Sequence, residues 1–210
     1  MAVAGLAILG YIGWEFYGTT WVSHRHQHAV VADLRREWAQ APTGTSGGGV
    51  VRTRWGRASA IVRIPRFGAG YAVPVLEGTG ESQLAAGFGH FAGTAGPGQV
   101  GNYALAGHRI THGEPLRDMP DLRPGDRVIV QTRTATYTYR LVTAGDALDV
   151  PLTATWVLDP LPHNPVTGGV EPPQRPGERL LTLATCAELF HTDDRYVAFG
   201  VLTRTLRNAT

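Results

Sequence analysis

Short apolar runs separated by glycine, proline and polar residues cover the chain from about residue 58 onward. Runs of this length, bounded by turn residues, predict β-strands. The predicted strands are Ala60–Ile64, Tyr71–Leu76, Asn102–Ala106, Arg127–Thr132, Thr136–Thr143, Trp156–Leu158, Arg179–Thr185 and Tyr196–Arg204. Eight short strands with frequent turns predict an all-β fold in the form of a closed eight-stranded β-barrel.

Three other segments of the predicted barrel domain have patterns of their own. Short helical turns are expected at Ser82–Ala86 and Pro115–Asp121. The stretch from Asp159 to Gly177 contains six prolines, so it cannot be a central strand and is predicted to be a surface loop.

The N-terminal region predicts a membrane anchor. Residues Ala2 to Val22 carry one charge, Glu15, and aromatic residues crowd their far end. A helix of this length spans about 30 Å, and aromatic residues favour membrane interfaces. We therefore expect residues 1–22 to form a transmembrane signal-anchor helix, with a hydrophobic helix packed on the domain as the alternative. No basic residue precedes the apolar run, so a cytoplasmic tail upstream of Met1 is expected to be missing.

Residues 23–57 are predicted to connect this anchor to the barrel domain at 58–210. Apolar residues between Ser23 and Gln40 have a spacing that suits a juxtamembrane helix. The following stretch, from Pro42 to Gly49, is rich in Gly, Ser and Thr and predicts a flexible linker.

Charge and cysteine content narrow the function. All 19 basic residues are arginine, the formal net charge is +2, and no basic cluster is present, so nucleic acid is not an expected partner. The single cysteine cannot form an internal disulfide, so its thiol stays free for chemistry.

Three residues suited to acyl transfer each fall at or beside a predicted strand end: Cys186, His108 and Arg195. A thiol attacks an amide carbonyl as thiolate, so an imidazole must take its proton, and the same imidazole can protonate the departing amine. A guanidinium can stabilise the oxyanion that forms or hold the substrate backbone. Each residue taken alone also suits a structural role: a buried small hydrophobe, a hydrogen-bonded histidine and a solvated charge.

The sequence around these residues resembles the sortases, most closely class E. One matching motif is the strand end Thr182-Leu183-Ala184-Thr185-Cys186, followed by Arg195. The other runs from Gly98 to Arg109 and contains Tyr103 and His108. The order of segments between Ile61 and Leu202 also follows the family, so the resemblance covers about two-thirds of the chain.

The resemblance implies a sortase-type barrel and a cysteine transpeptidase. It makes Cys186 the nucleophile, His108 the acid/base and Arg195 the clamp for substrate and oxyanion. It also implies substrate-binding positions at Ala184, Thr185 and Tyr103, the last linked in class E to a Leu-Ala-x-Thr-Gly signal over Leu-Pro-x-Thr-Gly.

The implied reaction is cleavage of a Thr–Gly bond in the C-terminal sorting signal of a secreted protein. The implied partners are that signal, an amine of a peptidoglycan precursor such as lipid II, and the membrane. The implied location is the cell membrane of a Gram-positive bacterium, with a single-pass anchor and an extracellular catalytic domain.

Alternatives remain at this point. The chain can be another cysteine hydrolase, a wall-crosslinking L,D-transpeptidase or a catalytically silent surface-binding module. His112 competes with His108 for the role of base. His90 and His191 are expected to make local hydrogen bonds, and no cofactor or metal is expected because the alternate spacing of His24, His26 and His28 points their rings apart on a helix.

Overall fold

The computed structural model describes residues 19–40, 49–186 and 194–208 of the 210-residue chain. Its helices are α1 (Thr19–Gln40) and the short α2 (Glu81–Ala86). The strands are β1 (Val51–Thr53), β2 (Gly56–Arg63), β3 (Val73–Glu77), β4 (Phe88–His90), β5 (Gly101–Ala106), β6 (Arg127–Gln131), β7 (Ala135–Leu141), β8 (Asp149–Pro151), β9 (Arg179–Cys186) and β10 (Asp194–Arg207).

Eight of these strands close into a barrel. The neighbours run β2-β3-β4-β5-β9-β10-β7-β6, and β6 pairs back onto β2. The flanking strands β1 and β8 pair outside this ring, with β2 and β10 respectively. The predicted closed eight-stranded barrel is confirmed, and closure removes the free sheet edges that would otherwise be exposed.

Alternation along the strands places one set of side chains in the barrel interior. In β9, Leu181 and Leu183 are fully buried in this core, where they meet Phe88 from β4 and Tyr139 from β7. A fully buried leucine side chain contributes about 2 to 3 kcal/mol of hydrophobic free energy. The opposite face of β9 is thereby directed to the outside of the barrel wall.

Helix α1 packs against the outside of the barrel. Val30 and Leu34 are fully buried and contact Ile61 of β2 and Leu76 of β3 as part of one apolar cluster. Near the end of the helix, the indole Nε1 of Trp38 donates a hydrogen bond to the Gly49 carbonyl oxygen at 2.7 Å. The helix is therefore attached to the barrel along much of its length.

The predicted anchor and linker fall mainly outside the described residues. Residues 1–18 and 41–48 lie there, so the anchor at 1–22 and the flexible linker stay predictions. Within the described ranges, neither helix combines the length and the apolar character needed to cross a bilayer.

One predicted strand is wrong. The segment around Trp156–Leu158 forms a 3₁₀ turn, Thr155–Leu158, in place of a strand. The eighth barrel strand is instead β4, which the sequence pattern did not predict as a strand. β4 has only three residues and includes Gly89, but its ladders with β3 and β5 hold it in extended form.

The helical turns and the proline-rich loop follow their predictions more closely. α2 covers the turn expected at Ser82–Ala86, and part of the second turn is a 3₁₀ helix at Met119–Asp121. The 159–177 segment contains no strand, and Asn164 braces it by donating to the Val170 carbonyl and accepting from the Val166 amide.

Candidate active site

Three neighbouring strands bring the candidate catalytic residues to one end of the barrel wall. β5 and β9 run parallel with Ala106 paired to Ala184, and β9 runs antiparallel to β10 with Cys186 paired to Arg195. His108 and Cys186 each come two residues after the Ala106–Ala184 pair. The Gly107 amide continues the ladder by donating to the Ala184 carbonyl at 3.1 Å. Backbone register thus sets the three positions side by side although they are far apart in sequence.

A groove opens on the outer face of these strands. It encloses about 260 Å³. The barrel wall contributes Ala106, Ala184, Arg195 and Val197, and the opposite side comes from β8 and the turn after it, including Val150, Pro151 and Leu152. An apolar channel with a single cationic side chain among these residues is suited to an extended peptide of small apolar residues.

Arg195 supplies a free hydrogen-bond donor at this groove. Its Nε is buried and has no hydrogen-bond partner. A buried unpaired N–H carries a penalty of about 1 to 3 kcal/mol, which an incoming acceptor oxygen relieves. Arg195 lies directly opposite Cys186 in the β9–β10 ladder, so the two backbone positions are neighbours.

His108 lies in the loop that follows β5. Its ring stacks on that of His112 with centroids 4.9 Å apart and planes inclined by 29°. Burial, and then the charge of His112, lower the pKa of His108 from 6.5 to about 4. The imidazole is therefore neutral at pH 7 and can accept a proton. Its Nε2 is buried without a hydrogen-bond partner.

The predicted substrate-binding residues separate into two groups. Ala184 lines the groove. Tyr103 and Thr185 are each 1% exposed, and Tyr103 belongs to the interior core. The hydroxyl oxygens of both lack a hydrogen-bond partner, and burial raises the pKa of Tyr103 well above its usual value. The structure therefore brings Ala184 to the groove and leaves the other two behind the barrel wall.

The other histidines have separate local partners. His90 binds Glu77 Oε2 through Nδ1 at 2.9 Å, and this hydrogen bond lowers the pKa of Glu77. His24 contacts the Gly113 carbonyl and His26 packs on the Trp55 ring, so these two point apart as their spacing predicts. No group of three or more His, Cys, Asp or Glu suited to a metal ion is found among residues 19–40, 49–186 and 194–208. His191 lies outside these ranges.

Comparison with known proteins identifies the family. The Sortase domain matches residues 62–203, which include all of β5 and β9 and the first part of β10. The chain belongs to the sortase family.

Relatives of class E are prominent among the similar proteins. Sortase SrtE1 of Streptomyces coelicolor is 31% identical over 206 residues, which are 93% of this chain and 53% of that protein. The chain thus spans about half the length of this curated relative.

Solved sortase structures share the barrel. Sortase E from Streptomyces avermitilis is 38% identical with a TM-score of 0.62, covering 74% of this chain and 93% of that one. Sortase E1 from Streptomyces coelicolor, solved with a tripeptide in the active site, is 29% identical with a TM-score of 0.61, covering 75% and 94%. Together with the two motifs, these matches identify the chain as a class E sortase.

Sequence reasoning missed several residues of this sortase's groove. Val150, Pro151 and Leu152 come from the edge strand β8 and the turn after it, and Leu84 and Phe91 come from α2 and the loop after β4. None belongs to a motif with chemical character, because they contribute only apolar surface. No local pattern in the sequence marks these positions as part of a groove.

Proposed function

We propose that this sortase is a cysteine transpeptidase that cleaves the Thr–Gly bond of a C-terminal sorting signal and transfers the threonyl group to an amine. The observation that supports it most strongly is the register of β5, β9 and β10, which brings the positions of His108, Cys186 and Arg195 to one end of the barrel wall, beside the groove that Arg195 lines. A silent binding module has no need for this alignment.

The first half-reaction forms a thioester. The Cys186 thiol gives its proton to His108, and its sulfur bonds to the threonine carbonyl carbon. The C–N bond to glycine then breaks, and His108 returns the proton to the departing amine. A histidine that is neutral at pH 7, with Nε2 buried and unpartnered, suits the accepting step.

Arg195 stabilises the oxyanion formed during attack. Its unpartnered Nε is a donor that becomes paired when the carbonyl oxygen turns negative. A donor placed for the transition state in this way lowers the barrier by about 3 kcal/mol.

The second half-reaction consumes the thioester. An amine attacks the carbonyl carbon, passes a proton to His108 and displaces the Cys186 thiolate, which regains a proton. We assign this amine to a peptidoglycan precursor, lipid II, and the product is a protein covalently attached to the cell wall. Water in place of the amine would release a free acid, which is the hydrolase alternative.

The apolar groove suits a signal of the type Leu-Ala-x-Thr-Gly or Leu-Pro-x-Thr-Gly. Ala106, Ala184 and Val197 form a smooth apolar wall for the residues before threonine. Tyr103, which is 1% exposed on the other face of β5, influences this preference through the packing of the wall, without touching the peptide.

We place the chain at the cell surface. Residues 1–22 have the length and aromatic pattern of a single-pass anchor, and the barrel follows on the extracellular side. Protease treatment of intact cells tests this topology, because an extracellular barrel is digested without lysis and a cytoplasmic one is protected.

Mass spectrometry of the intact enzyme mixed with each signal peptide tests the reaction. We expect a mass increase equal to the acyl portion ending in threonine, located on Cys186, and its loss when an amine is added. Cys186→Ala should show no adduct and no transfer while it keeps the wild-type melting temperature. Undiminished transfer by this variant would refute the proposed mechanism, and free acid unaffected by added amine would indicate a hydrolase.

A further inference from the structure

Helix α1 contacts the loop that carries His108. The Nε2 of His24 donates a hydrogen bond to the Gly113 carbonyl oxygen at 3.0 Å. One turn earlier, the Thr20 hydroxyl donates to Glu114 Oε1 at 3.3 Å. The matched Sortase domain, residues 62–203, does not include this helix.

The contacted turn has a backbone that requires support. His112, Gly113 and Glu114 have φ of 54°, 79° and 46°, so three consecutive residues lie in the left-handed region. Within the described ranges, His112 and Glu114 are the non-glycine residues with positive φ. Non-glycine residues in this region are strained by about 1 to 3 kcal/mol each and persist only where surrounding contacts hold them.

Close packing against α1 limits the turn further. A Cβ on Gly113 would lie 2.4 Å from the Gln27 amide nitrogen and 3.1 Å from the His24 ring. Gln27 is 5% exposed, and its Nε2 has no hydrogen-bond partner. The helix thus presses a buried amide and an imidazole directly onto the turn.

The same turn is connected to His108 from two sides. The His112 ring stacks on the His108 ring at 4.9 Å. The Leu116 amide closes the loop by donating to the His108 carbonyl oxygen at 3.0 Å. A shift of the 112–114 turn therefore moves the ring that packs on His108.

We propose that α1 is a working part of the active site, in which His24 acts as a positioning residue that holds the 112–114 turn and, through His112, the imidazole of His108. This inference rests on the proposed role of His108 as acid/base. On this proposal, α1 does more than connect the N-terminal segment to the barrel. It is also needed for the full rate of reaction.

The helix is attached to the barrel independently of these contacts. Val30 and Leu34, which lie one to three turns beyond His24, are fully buried against the barrel and make no use of the His24 contact. A substitution at His24 therefore tests positioning without detaching α1.

The test compares His24→Ala with His24→Gln, which keeps an N–H donor, and with His28→Ala, an exposed histidine one turn further along α1. We expect His24→Ala to lower kcat for peptide transfer about 10-fold, because small displacements of a catalytic group reduce rate strongly. KM should stay near wild type, since the groove is lined by other residues. His24→Gln should recover most of the loss, and His28→Ala should match wild type within about 2-fold, an allowance for indirect surface effects.

A second readout does not depend on activity. The ring resonances of His108, followed by NMR across pH, report its surroundings directly. In His24→Ala we expect the pKa of His108 to rise from about 4 toward 6.5, because loosening the turn exposes the ring to water and separates it from His112. Melting temperatures of the three variants should agree.

The outcomes separate the two proposals. Equal kcat and unchanged His108 resonances in His24→Ala would overturn the role of α1, and so would a His24→Gln variant as impaired as His24→Ala. If the wild type forms no thioester on Cys186, the proposed function fails, and the His108 resonances still decide whether α1 controls the loop.

Discussion

The candidate catalytic positions of this sortase are held in two different ways. Cys186 and Arg195 lie in the β9–β10 ladder, where register fixes their backbones opposite each other. His108 lies beyond the end of β5, in a loop with left-handed residues that α1 contacts. The barrel alone determines the first two positions, whereas the third also depends on contacts from outside the matched domain.

The difference has a physical basis. A ladder residue is held by backbone hydrogen bonds between its strand and the paired strand, so it has little freedom to shift. A loop residue lacks such a ladder of backbone hydrogen bonds, so its position depends on individual side-chain contacts. The loop also buries the His108 imidazole against the ring of His112, a neighbour that a position within the β9–β10 ladder would lack.

The largest expected effect comes from removing the loop-held base. His108→Gln should reduce peptide transfer about 10³-fold, because a positioned acid/base contributes about 10² to 10⁴ to the rate. Single-turnover formation of the thioester measures this. His163→Gln, at an exposed histidine paired with Glu171 in the proline-rich loop, is the control and should retain full activity. Wild-type rates for His108→Gln would assign the base to His112.

Changing Arg195, the strand-held cation, should reduce activity less than changing His108. Arg195→Lys keeps the charge but loses the planar set of donors, so we expect kcat/KM to fall about 10²-fold. Steady-state transfer of a signal peptide measures it. Arg204→Lys, an exposed position further along β10, is the matched control. A lysine variant equal to wild type would show that charge alone suffices at this position.

Acid should destabilise the fold through His108. Its pKa is 6.5 when unfolded and about 4 in the native loop, so the unfolded state binds more protons between these values. Stability is therefore fully present above pH 6.5 and is lost as pH falls toward 4. At pH 5 the free energy of unfolding is lower by about 2 kcal/mol than above pH 6.5.

Urea unfolding at pH 7 and pH 5 measures this contribution. The wild type should lose about 2 kcal/mol more than His108→Gln between these two pH values. Parallel losses in both proteins would show that the native His108 is not shielded from protonation.

The smallest effect concerns the contact of the loop with α1. Gly113→Ala should lower kcat about 10-fold, because the new methyl group meets Gln27 and displaces the turn. Gly168→Ala is a matched control, since Gly168 has a similar φ of +73° with nothing within 4 Å of an added Cβ. Both variants carry the left-handed strain, so a loss confined to Gly113→Ala would show that the position of the 112–114 turn, and not such strain elsewhere in the chain, sets the rate. Equal activities of the two variants would show that the contact of Gly113 with Gln27 does not affect catalysis.

Much of the barrel was predictable because its longer strands have clear apolar alternation and turn boundaries. The predicted bounds of β5 and β9 agree with the observed strands to within one residue, whereas β10 begins earlier and ends later than predicted. Short elements were not predictable in this way. β4 has only three residues, which is too short to show an alternating pattern. The Thr155–Leu158 turn has a short apolar run, which cannot be told from a short strand by periodicity.

The candidate site was predictable in its chemistry and less so in its geometry. The residue types at positions 108, 186 and 195 indicate acyl transfer through their chemistry and their place at strand ends. The interior position of Tyr103 follows from which face of β5 meets the core, and the contact of His24 with Gly113 joins residues 89 positions apart. Neither is visible in local spacing.

The sequence by itself determined the family, the all-β architecture and the three candidate catalytic residues, because motifs and strand alternation are local properties of the chain. The tertiary structure decided which strands close the barrel, which side of the wall forms the groove and which helix supports the His108 loop. These depend on register and packing between distant segments, and such contacts form only when the whole apolar core is assembled.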